Sequence, residues 1–336
     1  MRCRWIRLIG LVWLLPLLGC AAPALQSPGP SATEPRLADF HFVADDGYRL
    51  PLRHWPAEGN RNAVVLAVHG FNDHAGSFDV LARALSPHGI EVYAYDQRGF
   101  GTTEQRRVWA GHERMRRDAT LLARQLRARY PDTPLYLVGK SMGGAIAILA
   151  MTTPDPPPVD GSVLIAPATW SRSTMPWYQR LGLWLGVRLI PQATFSVSNA
   201  HRLGIEPTDD AWIKRKLAKD PLILRSARVD TLHGLTQAMD EALAAASQLP
   251  SPTLVMYGDT DEVVPAEAFC ALLKRLPRHE GVRMALYPGG YHMLTRYTQR
   301  LRTERDLIAW LLDNDAALPS GNGIEPESAQ RSLCDA

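Results

Sequence analysis

Net charge is nearly absent from this chain of 336 residues: 37 Lys and Arg stand against 34 Asp and Glu, a formal +3. Part of that small excess is three arginines at positions 2, 4 and 7, so the basic surplus expected of a nucleic-acid partner is missing. The apolar stretch from Leu8 to Leu18 falls short of the roughly 20 residues that a bilayer-spanning helix needs. Gly139-Lys140-Ser141 lacks the earlier glycine of a phosphate-binding loop. No residue pattern calls for a metal or an organic cofactor. Cysteine is scarce, four in all, and two of these, Cys3 and Cys20, stand at the N-terminal end. Disorder is excluded in turn, because 46% of the chain is hydrophobic and the charges are evenly mixed. What is present suffices for one sizeable α/β domain carrying an insertion.

Arginines, then an apolar run, then small residues form the layout of a secretory signal. Its end, Leu17-Leu18-Gly19-Cys20, resembles the bacterial lipoprotein cleavage box. That resemblance implies a signal peptide over residues 1–19, an acylated Cys20 and attachment to a membrane of the bacterial cell envelope. Ala21 and Ala22 stand where an inner-membrane retention signal places an aspartate, which implies the outer membrane, facing the periplasm. Residues 20–38, rich in Pro, Ser and Ala, are expected to be a flexible tether, and the folded domain to span 39–313. The aperiodic residues 314–336 are expected to be disordered unless Cys334 fastens them. Cys270 lies in an apolar helical pattern and is expected to be buried as a thiol rather than paired with Cys334.

A hairpin signal, Asp45-Asp46-Gly47, joins Phe40–Val43 to Tyr48–Trp55. Short apolar runs then alternate with helical patterns, which predicts an α/β fold with a mainly parallel sheet covered by helices on both faces. The alternation breaks between about 168 and 248, where tryptophans and leucines are mixed with arginines and no strand is evident. This block reads as a helical cap inserted over the strand ends.

Gly139-Lys140-Ser141-Met142-Gly143-Gly144 follows the run Leu135–Val138, giving the strand, sharp turn and small-residue helix start of a nucleophile elbow. Serine needs a base to take its proton, the base needs an orienting carboxylate, and the oxyanion needs two donors. Asp261, on the loop after the strand Thr253–Tyr257, is the candidate acid; Asp259 and Glu262 compete for the role, and loop position favours Asp261. His292, after the last strand, is the candidate base, because Ser, Asp, His is the chain order of α/β hydrolases. Backbone N–H groups of Phe71 and Met142 are the candidate oxyanion donors, and His69 is expected to fix their loop.

With His69-Gly70-Phe71-Asn72-Asp73-His74, Asp96-Gln97-Arg98-Gly99, Asp220-Pro221-Leu222 and the three loops above in order, the chain resembles the monoacylglycerol lipase and lysophospholipase branch of the α/β hydrolases. That branch overlaps in sequence with the serine aminopeptidases. The resemblance implies a serine ester hydrolase acting on a lipid or small ester, with Asp96–Gly99 as a structural turn. Lys140 departs from the histidine common before the nucleophile in this branch. Ser141 argues against the dehalogenases and epoxide hydrolases of this fold, which use aspartate.

From Arg172 to Asp230 there are ten Lys or Arg against five Asp or Glu, so the cap is basic. Trp177, Leu181, Trp184 and Leu185 are its candidate substrate-facing residues, suited to acyl chains beside anionic headgroups. An aminopeptidase would instead need cap carboxylates for a substrate ammonium, and Glu206, Asp209 and Asp210 form the cluster available. An acyltransferase and a non-catalytic envelope lipoprotein are the other readings. Oligomeric state is left open.

Overall fold

A computed structural model describes residues 22–196, 205–278 and 281–335; the signal segment and Cys20 lie outside them. In chain order come β1 (Arg36–Leu37), β2 (His41–Val43), β3 (Arg49–Trp55), β4 (Ala63–Val68), α1 (Asp79–Leu85), β5 (Ile90–Tyr95), α2 (His112–Arg129), β6 (Leu135–Lys140), α3 (Met142–Met151) and β7 (Gly161–Ile165). Next come α4 (Trp177–Leu189), β8 (Thr194–Ser196), α5 (Ala211–Lys219), β9 (Ser226–Arg228) and α6 (Val229–Ala245). The chain continues through β10 (Thr253–Gly258), α7 (Ala266–Leu273), β11 (Val282–Tyr287), α8 (Arg300–Leu312), β12 (Gly323–Ile324) and α9 (Pro326–Cys334).

Ten strands form one sheet in the order β1-β2-β3-β5-β4-β6-β7-β10-β11-β12. The strands β5, β4, β6, β7, β10 and β11 run parallel, flanked by antiparallel pairings at both edges. Period-two alternation explains how unbroken apolar strands serve two layers. Along β4, Val64, Leu66 and Val68 enter the core beneath α2, α3 and α7, whereas Ala63, Val65 and Ala67 enter the core beneath α1 and α8. The architecture is the expected α/β-hydrolase fold, with every parallel strand ending at one edge.

Three segments depart from the sequence reading. Residues 24–33 are docked rather than free: Ala24 N donates to Asp230, Gln26 N to Trp109 O, Gly29 N to Asp46 and Thr33 N to Asp45 O. A Cβ on Gly29 would stand 2.3 Å from Asp46 O, so only glycine permits this approach. Its bonds run largely through backbone groups, which leave no trace in side-chain periodicity. The tail, expected to be disordered, forms β12 on β11 and then α9, fastened by a Cys270–Cys334 disulfide with Cα atoms 5.8 Å apart. This replaces the buried thiol expected at Cys270. The cap is also narrower than 168–248: Ala238, Ala242, Leu243 and Ala246 bring α6 into the main core beside α3, and β8 pairs with β9 inside the insertion.

Candidate active site

Ser141 sits between β6 and α3 with φ 53° and ψ −119°, a left-handed strained conformation for a residue with a Cβ. Its neighbours hold it there. Ser141 N donates to Ile165 O at the end of β7, while Ser141 O accepts from Gly144, Ala145 and Ala168 N–H groups. A Cβ on Gly143 would lie 2.0 Å from Val68 O, so a glycine is required for α3 to start this close to β4. The half-buried hydroxyl makes no hydrogen bond among the described residues and is left open to solvent or substrate.

Asp261 and His292 follow β10 and β11, on the same edge of the sheet as Ser141. Asp261 Oδ2 lies 2.7 Å from His292 Nδ1, and its Oδ1 accepts from Val263 N at 2.8 Å and Val264 N at 2.9 Å. The carboxylate side chain is fully shielded from solvent. Its preference for an N–H partner makes Nδ1 the protonated nitrogen and leaves a lone pair on Nε2. The competing acids are committed elsewhere: Asp259 accepts from Gly289 N, and Glu262 accepts from Glu206 N.

The loop after β4 passes directly over the nucleophile. A Cβ on Gly70 would lie 3.1 Å from Ser141 Cβ, and the next residue is Phe71. The N–H groups of Phe71 and Met142 have no acceptor among the described residues. His69 is buried, with Nδ1 2.8 Å from Gly70 O and Nε2 accepting from Gln97 N at 2.9 Å. Burial lowers its pKa, so the imidazole is neutral and fixes the loop, as expected. Asp96 accepts from Ala75 N and Thr102 N, and Arg98 pairs with Asp46 and Asp118, making that turn a brace.

The serine aminopeptidase S33 family model matches residues 59–298. The chain belongs to the serine aminopeptidase S33 family. This S33 protein is a serine ester hydrolase. It is similar to the monoglyceride lipase of Mus musculus, 28% identical over 84% of this chain and 92% of the mouse protein. It is also similar to the monoacylglycerol lipase of Mycolicibacterium smegmatis, 27% identical over 82% of this chain and 98% of that one. Among solved structures it shares its fold with Paleococcus ferrophilus monoacylglycerol lipase: TM-score 0.64, 22% identity, covering 79% of this chain and 99% of the other. The same holds for a soluble variant of the Saccharomyces cerevisiae monoglyceride lipase, with TM-score 0.67 and 20% identity over 88% of this chain and 99% of that one.

The four cap residues all lie on α4 of this S33 enzyme, whose sole buried side chain is Val187. Trp177 is 72% exposed and Trp184 51%, and with Leu181, Arg172, Arg180 and His233 they line an open groove of about 460 Å³. Leu185 is exposed outside that groove, which includes none of Ser141, Asp261 and His292. The sequence reading missed a cluster that joins the loop after β4, the cap and the base loop. Arg296 binds Asp73, and His74 Nε2 lies 3.1 Å from Asp220 Oδ2 in the cap. Burial alone would raise the Asp73 pKa, but the surrounding groups, Arg296 first and then Lys140, His69 and His74, together outweigh it and hold the carboxyl at about 2. Asp73, His74 and Asp220 occur in the family motifs, whereas Arg296 carried no signal, since a lone arginine on a loop has no pattern.

Proposed function

We propose that the enzyme hydrolyses monoacylglycerol or lysophospholipid-type esters at a membrane surface, through a Ser141 acyl-enzyme. His292 Nε2 takes the hydroxyl proton as Ser141 Oγ attacks the acyl carbonyl, and Asp261 holds the resulting imidazolium by its Nδ1–H. Phe71 and Met142 N–H groups receive the oxyanion. The tetrahedral centre collapses, the alcohol leaves with the proton from His292, and a water then repeats the sequence to release the fatty acid. The observation that carries this reading is the coincidence of a strained, unbonded Ser141 hydroxyl with a shielded Asp261–His292 pair on one sheet edge.

Lipid rather than peptide is favoured by the fate of the cap carboxylates. Glu206 pairs with Lys214, Asp209 accepts from Thr298, and Asp210 caps the N-terminus of α5, so none of the three is uncommitted for an ammonium. The membrane reading draws on Cys20 and on the exposed apolar side of α4. Ala24 bonds to Asp230, and Asp230 N donates to Pro191 O just beyond α4, so the N-terminal segment leaves the domain beside that helix. The Cys270–Cys334 disulfide suits an oxidising envelope compartment.

The test compares protein lacking residues 1–20 with its Ser141→Ala variant on monoacylglycerols, lysophospholipids, short esters and aminoacyl amides, alongside a fluorophosphonate label. Turnover of the lipid esters and labelling, both lost in the variant, are expected. Preference for amides would reinstate the peptidase, and an unlabelled folded wild type would leave a non-catalytic lipoprotein.

A further inference from the structure

Lys140 is the last residue of β6 and precedes the nucleophile directly, yet it is only 8% exposed. Its Nζ lies 3.2 Å from Ser77 Oγ and 3.3 Å from Ser77 O, and 4.1 Å from the centre of the Phe78 ring. It forms no salt bridge among the described residues, although the Asp73 carboxylate, paired with Arg296, is near enough to favour its charge. Ser77 and Phe78 belong to the single 3-10 turn Ala75–Phe78, which ends the loop that carries Phe71. That turn is anchored at its other side by Asp96 on Ala75 N and by His74 on Gly76 N.

We propose that Lys140 is a positioning residue, strutting the elbow against the Ala75–Phe78 turn so that the Met142 and Phe71 N–H groups keep the spacing an oxyanion requires. The proposal rests on the hydrolase reading above. The contacts match that role: Lys140 Nζ donates to both Ser77 O and Ser77 Oγ, so one side chain ties the end of β6 to the turn at two points. Burial, with Arg296 adding to it, depresses the lysine pKa well below its usual value. The charged or titratable groups facing this region are His69, Asp73 and His74 from the oxyanion loop, Asp96 after β5, Arg296 from the base loop, and Asp220 and Lys216 from the cap.

A merely structural lysine and a positioning one make opposite predictions. Burial lowers the Lys140 pKa in the folded state, so the unfolded chain holds this proton more tightly and Lys140 costs stability below its ordinary pKa. That cost shrinks as pH rises toward the unfolded value. Lys140→Met, of similar length and uncharged, is therefore expected to melt higher than wild type at pH 7, with the gain fading toward pH 10. At the same time kcat should fall about tenfold with KM unchanged, since oxyanion donors act in the transition state. A trifluoromethyl ketone, whose hemiketal oxyanion occupies the same donors, should lose affinity in parallel. Ser77→Ala, which keeps the lysine and removes one of its two partners, should lower kcat in the same direction and guards against a misfolded Met variant. Wild-type kcat in both variants would overturn the proposal, as would a joint fall in stability and activity for Lys140→Met. If wild type itself is not labelled by fluorophosphonate, the hydrolase reading fails instead, and the two failures are distinct.

Discussion

The side chain of Asp261 divides its two oxygens between two tasks, one facing His292 and one holding the Val263 and Val264 N–H groups. Asparagine can keep the second task through its carbonyl oxygen, but its amide would face His292 and force the wrong tautomer. Asp261→Asn is therefore expected to melt like wild type while kcat falls by about 10³ to 10⁴. Asp259→Asn and Glu262→Gln should keep near-wild-type turnover, because neither touches His292; steady-state kinetics of the three variants checks the assignment. At this scale the elbow turn and the Asp261–His292 contact were legible in advance, since an elbow, an acid loop and a base loop are local patterns with fixed chain order. Arg296 and Ser77 were not, because each acquires its role only from a partner more than sixty residues away.

Among the elements, α9 shows how far a local reading reaches. Its residues read as aperiodic, and what stabilises it is contact with α7 through Ala329, Leu333 and the disulfide. A cross-link closing a separation of 64 residues restricts the unfolded chain by about 4 kcal/mol in the entropic account. Cys334→Ser, or reduction of the wild type, is expected to lower the melting temperature by several degrees and expose residues 314–335 to proteases. Because α7 begins just after the Asp261 loop, thermal inactivation should quicken in step, whereas kcat at 25 °C should change little. Equal melting curves for oxidised and reduced protein would mean that β12 and α9 hold without the bond. The strand-helix alternation from β4 to α8 was legible because each element carries its own period. The docked segment 24–33 was not, since backbone hydrogen bonds do not select side chains.

Taken as one molecule, the enzyme carries its triad candidates on one sheet edge and a cluster of large exposed apolar side chains on α4. No helix among the described residues is long and apolar enough to cross a membrane. On the membrane-surface proposal, contact with a bilayer rests on Cys20 and on α4, whose Arg180 and Arg188 lie among its tryptophans and leucines. Protein lacking residues 1–20 is expected to bind anionic vesicles more tightly than neutral ones, and Trp177→Ser with Trp184→Ser to weaken that binding at least tenfold while leaving hydrolysis of a soluble short ester intact. A co-sedimentation series reads both, and unchanged binding would remove α4 from the membrane face. By itself the sequence determined the fold class, the order of the chemical groups and the basic, apolar character of the cap, because periodicity and short motifs are written in neighbouring residues. Only the tertiary structure decided that Asp261 and not its neighbours meets His292, that Cys270 pairs with Cys334, and that Lys140 is buried against Ser77. Those facts arise from approaches between distant segments, which the burial of one shared core imposes and which no window of sequence contains.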